Sequence, residues 1–242
     1  MGWFKHWFGT PYYKLLYGHR DDADAQAWVE AILGRWRLPE GAGLLDLACG
    51  RGRHARHFAA HGIKVTGCDL SEESIAEARA AVPQAEFLVH DMREPIAGRR
   101  FEAICCLFTS LGYFERLEDD QRVLDAVAAM LVPGGGFVLD FMNTDVVLRD
   151  LVPHEEVERG GVRFRITRCL QADVLVKRIE VLDGEAVHRF EERVQTLRPA
   201  VLEGMATGAG LRIEDRTDGP LLTPFDPDRS PRFVLWCRKP PA

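Results

Sequence analysis

LLDLACGRGRHARHF, residues 44–58, carries three signals in close order. Leu44 to Ala48 is a short apolar run broken only by Asp46, Gly50 and Gly52 stand one residue apart, and the residues after them read as a helix. A strand that turns through glycines into a helix lets backbone N–H groups approach a ligand closely. Gly50, Gly52 and Ala55 hold the fixed places of the G-x-G-x-x-[GA] dinucleotide fingerprint. A second apolar run, KVTGCD, ends about 20 residues further on at Asp69, where a carboxylate can accept from both hydroxyls of a ribose. The expectation is an adenosine-bearing ligand.

Around this stretch short apolar runs alternate with longer amphipathic ones, which predicts an α/β fold with a parallel sheet covered by helices on both faces. Strands are expected at LLDLA, KVTGCDL, AEFLVH, FEAICCLF and GFVLDFM. Helices are expected after the glycine turn, from Ser71 as N-cap with Glu72 and Glu73 in the first turn, and from about Leu117 to Leu131. PGGG, Pro133 to Gly136, should close the last of these. After Met142 the rhythm changes. VRFRITRCL, VLVKRIEVL and AVHRFEERVQTL alternate as strands, with DGE as a hairpin turn, and predict a small antiparallel insertion. A helix near Pro199 to Thr207 and strands at LRIEDRT and FVLWCRK then complete the main sheet. The division expected is residues 1–42 as an N-terminal lid and first helix, 43–150 as the cofactor core, 151–198 as the insertion and 199–242 as the completion of the core.

Asp46 separates the possible ligands. It lies on the strand four residues before the first glycine, so its charge is aimed at the turn. A diphosphate would be repelled there. S-adenosylmethionine carries a sulfonium and an ammonium and has no phosphate to cradle at a helix N-terminus.

With these residues in hand, the chain resembles the class I S-adenosylmethionine-dependent methyltransferases. DLACGRG matches that family's first motif, GCDLS its ribose acid, VHDMRE its adenine segment and LVPGGGFVLDF its turn into the fifth strand. The agreement runs from about Leu44 to Met142 and implies a Rossmann-like methyltransferase sheet. It implies that Gly50 and Gly52 let the backbone approach the methionine and ribose portion, with Asp46 near the amino group. Asp69 would bind the ribose, Leu70 would pack on the adenine, Asp91 would accept from the adenine amino group and Met92 would donate its backbone N–H to a ring nitrogen. Ala48 stands in the same turn, where many relatives have glycine.

In such enzymes the segment after the fourth strand faces the donated methyl group, and here it reads LFTSLGYF, from Leu107 to Phe114. It is not the Asn/Asp-Pro-Pro-Tyr run that holds a nucleobase amino group, so nucleobase N-methylation is disfavoured. Leu107 borders the cofactor, while Phe108, Thr109, Ser110 and Tyr113 offer an apolar wall with hydroxyl tips. The N-terminal YYKLLYGHRDD supplies Tyr12, Tyr13, Tyr17, His19 and Arg20, with Arg20 suited to hold the cofactor carboxylate in two-point fashion. Together with the late insertion it resembles the substrate covers of the glycine and nucleotide-sugar N-methyltransferases. On that resemblance Arg163, Arg165, Glu191, Glu192 and Arg193 could line an acceptor pocket, although strand alternation sends many charges outward. His19 and Tyr113 are the candidates for a general base. His54, His57 and His61 have i, i+3, i+7 spacing, but no cysteine or paired carboxylate joins them, and a metal is not expected.

The formal net charge of −6 over 242 residues gives no basic footprint for nucleic acid, so a small-molecule acceptor is the expected partner, for a monomer or homodimer. No run approaches the ~20 apolar residues of a membrane helix, MGWFKHWFGT lacks a signal-peptide core, and six cysteines without C-x-x-C spacing fit reduced core residues of a cytoplasmic protein. Two alternatives stay open: an NAD(P)-dependent oxidoreductase on the same glycine turn, and an S-adenosylmethionine-binding protein without turnover.

Overall fold

A computed structural model describes residues 7–18 and 22–241. Its centre is a seven-stranded sheet. Five parallel strands form in chain order: β1 (Gly43–Leu47), β2 (Lys64–Asp69), β3 (Glu86–Val89), β4 (Phe101–Cys106) and β5 (Leu131–Met142). Two antiparallel strands, β10 (Arg212–Thr217) and β11 (Arg232–Arg238), follow β5 at one edge, giving the order β10-β11-β5-β4-β1-β2-β3. β1 has β4 on one side and β2 on the other, so the strand order reverses at β1, and the carboxyl ends of β1 and β4 open a crevice.

Helices cover both faces. α2 (Asp22–Trp36), α3 (Arg53–Ala60) and α4 (Glu72–Ala81) bury Trp28, Ile32, Phe58 and Ile75 against one side. α5 (Leu117–Met130) and α7 (Pro199–Gly208) bury Val123, Leu124, Val127 and Leu202 against the other. Ser71 caps α4 as expected, its side chain accepting from Ser74 N at 3.1 Å. A short α6 (Thr144–Arg149) leads out of β5.

The insertion is a separate four-stranded antiparallel sheet of β6 (His154–Arg159), β7 (Val162–Gln171), β8 (Val174–Asp183) and β9 (Ala186–Gln195). One face buries Phe164, Ile166, Ile179 and Val181 with Trp7 and with Leu16 of α1 (Pro11–Tyr17). Thr10 caps α1 by accepting from Tyr13 N, and Pro11 follows at the first helical position, so this short helix has a defined start. The cover is therefore a third small core of its own. β6 was not expected, because HEEVER is an edge strand with only Val157 partly buried, and charges along an edge hide the alternation.

The expected role of PGGG needs correction. α5 ends at Met130, and Pro133 to Gly136 lies inside β5, where the pairing slips from Phe101↔Leu131 to Ala103↔Gly136. The extra residues form a bulge closed by the chain after β11, with Gly134 N donating to Lys239 O and Lys239 N to Gly135 O. Gly136 is required there because a Cβ would stand 2.4 Å from the Trp36 ring.

Candidate active site

The crevice at the switch point is a cavity of about 520 Å³, roofed by α1 and the insertion. A smaller one of about 70 Å³ shares Phe8, Ala48, Asp69, Ser110 and Tyr113 with it. The larger is lined by Tyr13, Tyr17, Asp46, Ala48, Gly50, Asp69, Leu107, Phe108, Thr109 and Tyr113, and Leu70 and Met92 line the smaller.

The glycine turn is left-handed at Ala48, Gly50 and Gly52, with φ of 54°, 53° and 76°. Gly52 stands behind the cavity wall, where a Cβ would meet the Phe87 ring at 3.0 Å. Ala48 adopts a conformation costly for an L-residue, which explains why a glycine suits that place. Asp69 is locked by two amides: Gly50 N donates to Oδ2 at 3.0 Å and Ser71 N to Oδ1 at 2.9 Å. Burial raises its pKa, while these N–H groups hold it down.

Asp46 is 2% exposed. Its Oδ1 lies 3.5 Å from Cys105 Sγ, and its Oδ2 has no hydrogen-bond partner among the described residues. Burial, opposed by the Cys105 contact and reinforced by the charge of Asp69, pushes the carboxyl up to about 7. A buried carboxylate oxygen without a donor fits a ligand that brings a cation. His54, also buried, has an Nε2 without a partner among the described residues, and burial with the neighbouring Arg53 lowers its pKa to about 3, keeping the imidazole neutral. Its ring lies 5.3 Å from Phe108, whereas His57 Nε2 meets Asp22 Oδ1 and His61 Nδ1 meets the His57 carbonyl. The three histidines therefore do not converge.

Beyond β4 the chain strains again. Phe108 and Thr109 are left-handed in succession, at φ 62° and 59°. Buried Asp140 of β5 holds them, accepting Phe108 N on Oδ2 at 2.8 Å, while its backbone carbonyl accepts Thr109 N at 3.0 Å. Arg232 of β11 pairs with both Asp140 oxygens and donates to Thr109 Oγ1 at 3.1 Å. Neither residue was foreseen, because 92 positions separate them in the chain.

Strand register sorts the insertion residues. Lys177 stands opposite Glu192 and Leu175 opposite Val194 on the face toward α1, and Leu175, Glu192 and Val194 line the cavity. Trp7 Nε1 and the Tyr17 hydroxyl both donate to Glu192 Oε1, at 2.6 and 2.7 Å. Arg163, Arg165, Glu191 and Arg193 occupy alternate positions on the opposite face. There Arg163 and Arg165 pair with Glu156, and Arg193 with Glu191, all away from the cavity. Asp91 also lies outside both linings: Arg93 donates to it through its backbone N and guanidinium, which holds the carboxyl below its ordinary range. Tyr12 donates to Asp183. His19 and Arg20 lie outside the described residues.

A fold reversing at β1, a cavity at that point and a buried acid with one oxygen unpartnered among the described residues are features that suit an adenosyl donor. The comparisons agree. The methyltransferase-domain family matches residues 44–135. Over 228 residues the chain is 32% identical to the dTDP-3-amino-3,4,6-trideoxy-alpha-D-glucopyranose N,N-dimethyltransferase of Streptomyces venezuelae, covering 86% of this chain and 92% of the relative. It is likewise 32% identical to the Streptomyces fradiae dTDP-3-amino-3,6-dideoxy-alpha-D-glucopyranose N,N-dimethyltransferase, covering 84% and 80%. The crystal structure of Streptomyces venezuelae DesVI superposes with a TM-score of 0.72 at 29% identity, over 95% of this chain and 97% of that one. The chain belongs to the S-adenosylmethionine-dependent methyltransferases. It is an enzyme that uses S-adenosylmethionine to methylate a small-molecule acceptor, and the oxidoreductase alternative falls away.

Proposed function

We propose that the acceptor is a nucleotide-linked deoxyamino sugar and that the methylated atom is its amino nitrogen. The observation that carries this is the reach of the likeness to the Streptomyces venezuelae sugar N,N-dimethyltransferase. At 86% of the chain it cannot be confined to the 92-residue cofactor match and must extend into the cover over the cavity. The four-part division of the chain into lid, cofactor core, cover and core completion belongs to the same reading.

In it, Asp46 receives the ammonium of the cofactor, Asp69 the ribose hydroxyls, and the slot beside Leu70 and Met92 the adenine. Asp91 would have to turn from Arg93 to reach the adenine amino group. Bound there, S-adenosylmethionine supplies an electrophilic methyl on sulfur, open to in-line displacement by an amine. The chain contributes mainly placement. Orienting two reactants accounts for ~7–11 kcal/mol, whereas a general base adds about 10²–10⁴-fold. Tyr113, between the two cavities, and His19 are the residues proposed to take the amine proton. Tyr13, Phe108 and Thr109 would form the acceptor wall, and Glu192, held by Trp7 and Tyr17, would face the acceptor amine. No helix among the described residues is long and apolar enough to cross a membrane. Six free cysteines suit the reducing cytoplasm, where we place the protein, as a monomer or homodimer.

The test is incubation with S-adenosylmethionine and a dTDP-linked 3-amino-deoxyglucose, following S-adenosylhomocysteine release and sugar mass. Methylated sugar nucleotide is expected. Cofactor binding with no methyl gain on amino sugars, alongside turnover on a hydroxylated acceptor, would overturn the assignment.

A further inference from the structure

The loop carrying Tyr113 is fastened at its far end to the cover sheet. Gly112 N donates to Oδ1 of Asp120, a fully buried residue of α5, at 2.8 Å. Asp120 Oδ2 accepts from Gln195 Nε2, also at 2.8 Å, and the same Nε2 donates to Phe114 O at 2.7 Å. Gln195 N closes the ring by donating to Gly112 O at 2.7 Å. Gln195 is the last residue of β9, three positions beyond Glu192. One carboxylate and one amide therefore fix the backbone on both sides of Tyr113 and tie it to the strand that carries the cavity-facing Glu192 and Val194.

We infer that Asp120 and Gln195 are positioning residues that set Tyr113 between the two cavities, acting on transfer and acceptor binding more than on cofactor affinity. This rests on the methyl-transfer reading above. The chemistry favours it over simple fold support. Gly112 is left-handed at φ 82°, and a Cβ there would meet the Phe141 ring at 3.3 Å, so the turn needs glycine, whose backbone freedom leaves the loop's shape to these bonds. The bonds are few and directional, with Asp120 buried and Gln195 partly so, and none of the four reaches a residue of the glycine turn. An isosteric change on either residue breaks contacts without emptying volume: one for Asp120→Asn and two for Gln195→Glu. Asp120→Asn sets its NH₂ against either the Gly112 N–H or the Gln195 NH₂. Gln195→Glu removes the donor that serves both Asp120 Oδ2 and Phe114 O. Asp120→Asn with Gln195→Glu restores the contact between the two residues, because the asparagine oxygen can accept Gly112 N while its NH₂ donates to the new carboxylate, and leaves only Phe114 O without its donor.

Each single variant and the double would be assayed with the full-length protein in three ways: S-adenosylhomocysteine affinity, methyl transfer to a dTDP-linked 3-amino-deoxyglucose, and hydrogen exchange over residues 108–116. The inference expects transfer reduced by ~10–100-fold in the singles, a smaller loss of S-adenosylhomocysteine affinity because Tyr113 and Phe114 also line the slot beside Leu70 and Met92, faster exchange confined to the loop, and recovery of at least ~5-fold in transfer in the double. Gln195→Ala, at the partly buried strand end, keeps the test open should Asp120→Asn fail to fold. Equal losses of cofactor affinity and transfer, or a double variant no better than the singles, would overturn it. So would loop exchange unchanged in all variants, a readout that stands even if wild type proves inactive on amino sugars.

Discussion

Replacing Asp46 by Asn should stabilise the empty protein and impair the liganded one. The carboxyl is lifted from 3.8 to about 7 by burial, so the folded state retains a proton that the unfolded chain has lost. For an acid raised in this way, the folded state is at full stability below pH 3.8. It loses stability as pH rises toward about 7 and stays level beyond. At 1.36 kcal/mol per unit the penalty above pH 7 is ~4 kcal/mol. An amide carries no such penalty. Asp46→Asn should therefore raise the melting temperature at pH 8 by several degrees, since ~1 kcal/mol moves a chain of this size by about 2–4 °C, and the gain should vanish near pH 4. Affinity should change in the opposite sense. A charge-assisted hydrogen bond to the cofactor ammonium is worth ~1.5–3 kcal/mol, so S-adenosylhomocysteine should bind ~10–100-fold more weakly to the variant. Wild-type affinity should also weaken as pH falls below 7, by up to tenfold per unit, while the variant stays flat. Thermal melts and titration calorimetry from pH 5.5 to 8.5 give both quantities. A variant that is less stable at pH 8 and binds S-adenosylhomocysteine as wild type does would refute the reasoning, because the carboxylate would then be a structural group.

Other outcomes follow from single contacts. Asp69→Ala should weaken S-adenosylhomocysteine by ~10-fold or more, since the change removes the proposed ribose acceptor and leaves the Gly50 and Ser71 amides unsatisfied. Ala48→Gly should stabilise by up to ~1 kcal/mol in denaturant melts, because relief of the φ 54° strain is partly offset by glycine's greater freedom when unfolded. Glu192→Gln should raise the acceptor KM while leaving cofactor affinity within about twofold, measured by steady-state assay against calorimetry.

Much of the architecture was legible because its signals are local. The parallel strands announce themselves as apolar runs, and Ser71 announces the start of α4. What stayed hidden depends on partners far along the chain. PGGG reads locally as a helix stop, yet Lys239 and Trp36 turn it into a bulge within β5. In the cover, alternation told which residues share a face but not which face meets the cavity, so Arg165 and Arg193 were preferred as acceptor contacts, whereas pairing with β8 and packing on α1 bring Glu192 to the cavity instead. Asp140 and Arg232 carry no motif. Their role exists only because β11 lies beside β5 and presents the guanidinium to the strained loop after β4.

The most direct measurement is a crystal structure with S-adenosylhomocysteine. The account predicts its amino group within hydrogen-bond reach of the Asp46 side chain, its ribose on Asp69 and its adenine beside Leu70 and Met92. An amino group held elsewhere with Asp46 still unpartnered, or a dinucleotide displacing the ligand with its diphosphate against Gly50 and Gly52, would contradict it.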